Sequence, residues 1–319
     1  MRLPPGWIAA AACAICSACA AGESSLRGLD ADGPQVWASG SSGEARVAAA
    51  ADGRWRRVAV PGTGALDFRD VELLDGGAVL LMSAGPGELS RVYRSQDGGA
   101  AWSETLRGVA PEAFFDSIAF WDAQRGLLVG DPAEGALTVL RTQDGGRTWQ
   151  RVPLPSAPGE LCFAASGTCV CVQPGGLAWI GTGGSVARVW RSADHGRTWT
   201  AAATPLRAGE SAGVFSVAFR DPLHGVIVGG DYRQPGQAVA SAAWSEDGGA
   251  TWHEARARGY RSCAAWFGGA WVATGPEGTD VSRDDGRSWH AWLAEGFHAV
   301  HNGWAAGDRG RLRRVGSPP

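Results

Sequence analysis

Tyrosine is nearly absent from this chain: 3 residues stand against 16 tryptophans. Beyond residue 21 no C-x-x-C pair occurs, which removes zinc-ribbon and thioredoxin-type redox readings. There is no basic run or stripe and the formal net charge is −3, so nucleic acid is not an expected partner. Beyond residue 21 no stretch approaches the ~20 apolar residues of a membrane helix, so no transmembrane span is expected. H-E-x-x-H is missing, which weakens a zinc-protease reading. "GTGGSV", starting at Gly181, lacks the third glycine of a dinucleotide loop and no helix pattern follows it, so no cofactor is expected.

What is present points to strands. Of 319 residues, 45% are apolar and 48 are glycine, enough for a substantial core cut by many turns. Apolar and β-branched residues alternate at period two, and helical periodicity is missing. The first residues read as a secretory signal over 1–20: one Arg, an apolar run from Trp7, then Ala18-Cys19-Ala20 as a cleavage site. A rival reading cleaves before Cys19 and attaches lipid there, since "CSAC" resembles a lipobox, although Cys16 occupies its usual Leu position. Both readings place the chain in the periplasm or outside the cell. Residues 24–319 read as a single domain, expected to be a monomer. Four cysteines follow the leader: Cys162, Cys169, Cys171 and Cys263. Cys162 and Cys171 flank a hairpin-like segment and would meet across it as a disulfide; the alternative is small buried thiols.

Five octets organise the chain: "SQDGGAAW", "TQDGGRTW", "SADHGRTW", "SEDGGATW" and "SRDDGRSW". They end at Trp102, Trp149, Trp199, Trp252 and Trp289, with gaps of 47, 50, 53 and 37 residues. A degenerate "AADGRW" places Trp55 another 47 residues upstream. Four short strands fit into each unit, which is one propeller blade. Six outer strands carry these tryptophans, and the tail from Gly296 supplies three more strands. An N-terminal strand near Ser24 to Leu29 is expected to complete that last sheet and close the ring. The fold class is therefore all-β, a seven-bladed propeller of four-stranded antiparallel blades, with six blades as the alternative.

Each octet falls between strands three and four of its blade. Its glycines suit a turn with positive φ. Asp97, Asp144, Asp194, Asp247 and Asp284 accept main-chain N–H bonds within the turn. The tryptophan opens the outer strand and packs between sheets. Ala101 stands where the other octets have Thr or Ser, so the first copy is expected to be a weaker clasp. One repeated Asp without a closing Glu does not make a calcium loop, and no metal site is expected. A building role is the reading for the octets.

The octets resemble the Asp-box, or bacterial neuraminidase repeat. "IAFWDAQRGLLVGD" and "VAFRDPLHGVIVGGD" resemble the repeat of the photosystem II stability and assembly factor family. "FAASGT", "AWIGTGG", "GGDYR", "GYRS", "GPEGTD" and "GFHAV" look like a bacterial branch of it. The resemblance covers nearly all of the chain after the leader. It implies a periplasmic or lumenal seven-bladed propeller and, in the photosynthetic branch, a non-enzymatic chaperone that binds a new membrane subunit through basic surface residues. This chain lacks a comparable basic patch, so those residues do not carry over. Relatives carry oxidoreductase or glycosyl hydrolase labels; the first has no cofactor motif behind it here. Sialidases need three arginines and a nucleophilic Tyr; no Arg-Ile-Pro motif occurs, and Tyr93 lies at the octet end of its blade.

The search for a site therefore moves to the face opposite the octets. Its loops carry Asp116, Asp131, Glu160, Thr182, Ser211, Asp231, Tyr232, Arg233, Tyr260, Arg261, Phe297 and His298, with Ser117, Gly183, Ser262, Glu277 and Asp308 beside them. Ligand sites favour such converging loops. Asp116, Asp231 and His298 are the candidate acid–base groups, and Arg233 and Arg261 the groups to hold an anionic or sugar-like ligand. Strand capping and rim padding are the alternative roles. His253, His290 and His301 read as ordinary exposed or sheet residues. Two functions stand: a non-enzymatic scaffold binding a protein or glycan, or a glycan-acting hydrolase of sialidase-like fold.

Overall fold

The structure is a computed structural model that describes residues 24–318. The leader and Cys19 lie outside the described residues. Among the described residues, no helix is long and apolar enough to cross a membrane.

Seven small antiparallel sheets follow one another along the chain. The first blade uses Leu26–Asp30, Gln35–Gly40, Glu44–Ala49 and Arg56–Arg57. The second uses Phe68–Leu74, Ala78–Ser83, Arg91–Ser95 and Ser103–Arg107; the third uses Phe115–Phe120, Gly126–Ala133, Ala136–Thr142 and Gln150–Arg151. Val170–Gln173, Leu177–Gly181, Arg188–Ser192 and Thr200–Ala203 make the fourth. The fifth takes Gly209–Phe219, Gly225–Asp231, Ala242–Ser245 and His253–Ala255, and the sixth Cys263–Phe267, Ala270–Gly275, Gly278–Ser282 and His290–Leu293. Three strands, Ala299–His301, Trp304–Ala306 and Leu312–Arg314, form the seventh. First strands of consecutive blades touch all the way round, and the seventh returns to the first. The fold is an all-β, seven-bladed propeller.

Ring closure differs from the sequence expectation. Leu26–Asp30 does not complete the last sheet; it pairs antiparallel with Gln35–Gly40 as the innermost strand of the first blade. Residues 26–57 already hold four strands, so none is left to lend. The ends are tied instead by single bonds: the Leu26 amide to Gly307 O at 3.1 Å, the Gly310 amide to Ser24 O at 2.6 Å, and the Ser25 hydroxyl to Asp308 at 2.8 Å. Trp55 and Trp304 meet edge-on across the same seam, centroids 5.6 Å apart.

The core lies between blades. Trp37 and Val47 of the first blade pack with Phe68, Val79 and Leu81 of the second. Leu127 and Val139 of the third pack with Ala178 and Ile180 of the fourth. Both faces of each sheet are therefore buried against neighbours, and apolar area removed from water, at ~25 cal/mol per Å², holds the ring.

The octets clasp this arrangement. Asp144 Oδ1 accepts the amides of Arg147 (3.0 Å) and Thr148 (2.9 Å) and the Thr142 hydroxyl (2.8 Å), while the Gly146 amide donates to Thr142 Oγ1 at 2.9 Å. The Thr148 hydroxyl closes on Asp144 Oδ2 at 2.6 Å. Thr198, Thr251 and Ser288 repeat that last bond at 2.6 Å to Asp194, Asp247 and Asp284. Partial burial works against ionisation, yet these bonds outweigh it and hold Asp144, Asp194, Asp247 and Asp284 below the usual carboxylate range. Glycine at the fifth octet position has a second reason beyond its positive φ. A Cβ on Gly146 would meet Leu80, and one on Gly196 would meet Leu127, at 2.5 and 2.8 Å. Both contacts fall on strand two of the preceding blade, so the turn is part of the seam.

Candidate functional site

Strands one to two and three to four turn at the same end of each blade. The Gly145 amide, in an octet, donates to Gln124 O in the neighbouring hairpin at 2.8 Å, and the Gly248 amide to Leu223 O at 2.9 Å. The residues singled out from the sequence occupy the other end.

There the structure places most of them in closed pairs. Asp116 and Asp131 come together, the first buried and the second half-buried. Asp131 accepts the Cys162 amide at 3.0 Å, whereas neither oxygen of Asp116 meets a hydrogen-bond partner. Burial drives both carboxyl groups up, Asp131 to about 7, and their mutual repulsion adds to it at Asp116. Glu160 is enclosed by Arg188 (2.6 and 2.8 Å), the Thr182 hydroxyl (2.8 Å), Trp190 Nε1 (3.2 Å) and the Ala157 amide (2.8 Å). Burial opposes its ionisation, but these bonds hold it below the usual range. Ser211 donates to Asp231 at 2.7 Å, and the Arg233 amide caps the same oxygen at 3.0 Å. The Arg233 guanidinium pairs with Glu210 at 2.9 Å, and Arg261 with Asp280 at 2.7 Å, both of the latter side chains fully buried.

Aromatic rings cover the axis at this end. Phe163 stacks on Phe215 with centroids 3.8 Å apart, and Tyr260 and Tyr232 stand edge-on to Phe215 at 4.8 and 6.1 Å. Phe297 is buried under the Arg311 guanidinium, 4.6 Å from its centroid. His298 donates through Nε2 to Asp308 at 2.8 Å and accepts from Arg27 through Nδ1 at 3.4 Å. Burial, with Arg27 second, lowers it to about 4, so at neutral pH it is an uncharged ring. Among the described residues no hydrogen bond or ion pair joins Asp116, Asp231 and His298 to one another. Of the remaining neighbours, Ser262 donates to His298 O at 2.8 Å, Gly183 pairs in a two-residue strand with Leu161, and Glu277 is exposed.

The segment 162–169, which contains "FAASGT", explains the closure. It is not part of the fourth blade, whose first strand begins at Val170. Instead it lies across the channel. Arg69 donates to Ala164 O at 2.6 Å, Ser117 to Gly167 O at 2.6 Å, Ser166 to Ser262 O at 2.8 Å and Thr168 to Ser216 Oγ at 2.8 Å. Four blades hold this plug. Its bend at Cys169 also corrects the disulfide expectation. Cys162 and Cys169 share the cluster between blades three and four, while Cys171, in strand register, packs toward blade five, and all four cysteines are free thiols.

A cavity lies at the octet end. It measures about 530 Å³, is lined by the first strands, and has Ser166, Gly167 and Thr168 as its floor. Its walls carry Asp30, Asp32, Asp70, Glu72, Asp75 and Asp122, against Arg220 and His301. Arg220 is committed to Asp285 at 3.0 Å and Asp221 at 2.8 Å. The first strand of each blade leaves an edge toward the channel, and an unpaired buried N–H is costly. Side chains of the preceding blade cap that edge. His301 Nδ1 accepts from the Ala31 amide (3.2 Å), Asp30 from Leu73 (2.7 Å), Asp70 from Ile118 (2.7 Å), Ser216 from Ala264 (2.9 Å) and Cys263 Sγ from Val300 (3.5 Å). Burial raises the Asp30, Asp70 and Glu72 carboxyl groups, opposed by these amide bonds. Sequence reasoning passed over these acids because they sit inside strands "LRGLD" and "FRDVELL"; an acid at an inward strand position was the available signal.

Comparison with known proteins follows this architecture. The family model described as "Photosynthesis system II assembly factor YCF48" matches residues 47–204. Photosystem II stability/assembly factor HCF136 of Arabidopsis thaliana is 32% identical over 124 residues, 34% of this chain and 27% of that protein. Vacuolar protein sorting/targeting protein 10 of Talaromyces marneffei is 37% identical over 90 residues, 27% of this chain and 6% of that protein. The chain thus spans about a quarter or less of the curated relatives it matches. Among solved structures, YCF48 bound to D1 peptide superposes with a TM-score of 0.64 at 14% identity, covering 92% of this chain and 93% of that one. YCF48 from Cyanidioschyzon merolae gives 0.62 at 16%, covering 91% and 94%. The GH74 enzyme of Niastella koreensis gives 0.52 at 16%, covering 80% of this chain and 34% of that one. At these identities the solved structures establish the fold. Over residues 47–204 this chain is similar to the photosystem II assembly factors, and its fold is the β-propeller of the YCF48 structures.

Proposed function

We propose that this chain is a non-enzymatic, exported propeller that binds an extended segment of another protein. The observation that carries the reading is the closed end of the channel. Glu160, Asp280 and Asp231 there are engaged by Arg188, Arg261 and Ser211, and Asp116, which lacks a hydrogen-bond partner, is buried, so none of these four acids stands exposed in an open cleft. A glycosidase needs two carboxyl groups flanking a substrate, roughly 5–10 Å apart. A YCF48 structure of similar fold holds a D1 peptide, which supports a protein ligand for this chain. Export follows from the leader-like residues 1–20, with a lipid anchor at Cys19 as its variant.

The test pairs two assays on the purified full chain. A peptide array drawn from the same organism's membrane subunits is expected to show saturable binding, confirmed in solution by fluorescence anisotropy. A glycan hydrolysis screen, with Asp116→Ala as control, is expected to show no turnover. Turnover that disappears in Asp116→Ala replaces the scaffold reading with the hydrolase one.

A further inference from the structure

We infer that the open end of the channel holds a divalent transition-metal site at the seam between the seventh and first blades, with Asp30, Asp32 and His301 as ligands. The inference is independent of the scaffold reading and revises the ordinary role expected for His301. A ring nitrogen of His301 and one oxygen of each carboxylate lie within 4.8 Å of one another. The imidazole stands between the two acids, Nδ1 3.7 Å from Asp30 and Nε2 3.5 Å from Asp32. Bonds of about 2.0–2.1 Å in a tetrahedral site separate the ligand atoms by roughly 3.4 Å. One ion takes only one of the two ring nitrogens, so side-chain rotations that draw ligand atoms now within 4.8 Å of one another to that spacing complete the geometry.

A separate observation asks for a cation at this place. Glu72 is enclosed in the same cavity, where it accepts the Phe120 amide and feels repulsion from Asp70, Asp30 and Asp32. Arg220, which lines the cavity, is already paired with Asp221 and Asp285. Grouped carboxylates in a low-dielectric enclosure attract and stabilise a positive ion. An imidazole with carboxylates and no thiol suits Zn²⁺ or a neighbouring first-row ion, while Ca²⁺ and Mg²⁺ favour all-oxygen sites. The bound ion would join two acids of the first blade to a histidine of the seventh. That is the seam where the ring closes on a three-stranded blade.

The competing account is a hydrogen-bonded corner only: the Ala31 amide occupies Nδ1, and Nε2–H points at Asp32. Titration of tag-free full chain with Zn²⁺ by calorimetry, and with Co²⁺ by absorption, separates the two. One equivalent is expected to bind with micromolar affinity, raising the melting temperature. The cobalt spectrum is expected to show d–d bands without thiolate charge transfer. Asp32→Asn, at a largely exposed position, is expected to leave the metal-free melting temperature in place and weaken binding at least tenfold. His301→Gln is expected to weaken it as much. No saturable Zn²⁺ binding below about millimolar concentration, binding indifferent to Asp32→Asn, or a thiolate signature would each overturn the site.

Discussion

The two ends of the channel carry similar residue types and use them differently. At the closed end, acids meet guanidinium groups, hydroxyls and amides, and rings cover what remains: Glu160 with Arg188, Asp280 with Arg261, Tyr260 against Phe215. At the open end, Asp30, Asp70 and Glu72 hold main-chain amides of the next blade and face a cavity without a guanidinium partner of their own. Charged residues in propeller loops are thus no signpost to a site; what each charge is matched with decides. The most direct way to break this comparison is Arg261→Ala. Leaving Asp280 buried with only the Arg258 amide and a distant Arg258 guanidinium is expected to cost about 3 kcal/mol in urea denaturation. Arg233→Ala, which removes an exposed pair with Glu210, is expected to leave the denaturation midpoint in place. Similar costs for both would mean that the closed end is not held by its buried pair.

A pH series sharpens the same contrast. Burial raises Asp131 to about 7 in the folded chain, well above its unfolded value. Its folded form therefore binds a proton that the unfolded form has released between about pH 4 and 7. The stability this group contributes is complete below its unfolded pKa and is lost as pH rises through 7. His298 acts with the opposite sign. Burial lowers it to about 4, so its contribution is present above pH ~6.5 and is lost as pH falls toward 4. Asp131→Asn keeps an acceptor for the Cys162 amide and removes only the first effect. It is expected to gain on the order of a few kcal/mol over the parent chain at pH 8, and nothing at pH 4. Equal offsets at both pH values would show that Asp131 does not titrate near neutrality.

The fold was legible because its signal repeats. Each octet supplies a turn, an acceptor and an indole at fixed spacing, and period-two strands fill the intervals, so blade architecture follows from local chemistry. Closure was not legible, since Leu26–Asp30 has the same pattern whether it ends one sheet or begins another. The site was legible only as a set of residue types. Nothing local announces that residues 162–169 leave the strand path, because their anchors, Arg69, Ser117, Ser216 and Ser262, are distant in sequence. The same holds for Asp30 and His301, brought together only when the ring closes.

The smallest effects test whether the octets fasten the open end as the plug fastens the other. Asp144→Ala removes the acceptor of two amides and two hydroxyls, and is expected to cost about 1–2 kcal/mol in denaturant. The first octet offers the reverse experiment. Asp97 already accepts the Ser95 hydroxyl at 2.7 Å and the Ala100 and Ala101 amides at 3.0 and 2.9 Å, and those bonds hold it below the usual carboxylate range. Its second oxygen lacks the hydroxyl that Thr148, Thr198, Thr251 and Ser288 supply elsewhere. Ala101→Thr restores that donor at an exposed position where the main chain already has the required shape. Solvent competes for the new bond, so the gain is expected to be small, a rise in melting temperature of about 1–2 °C. Asp97→Ala in the same background is expected to erase it. A rise that survives Asp97→Ala would come from Thr propensity at the start of the outer strand, and the seventh octet position would then carry no part of the clasp.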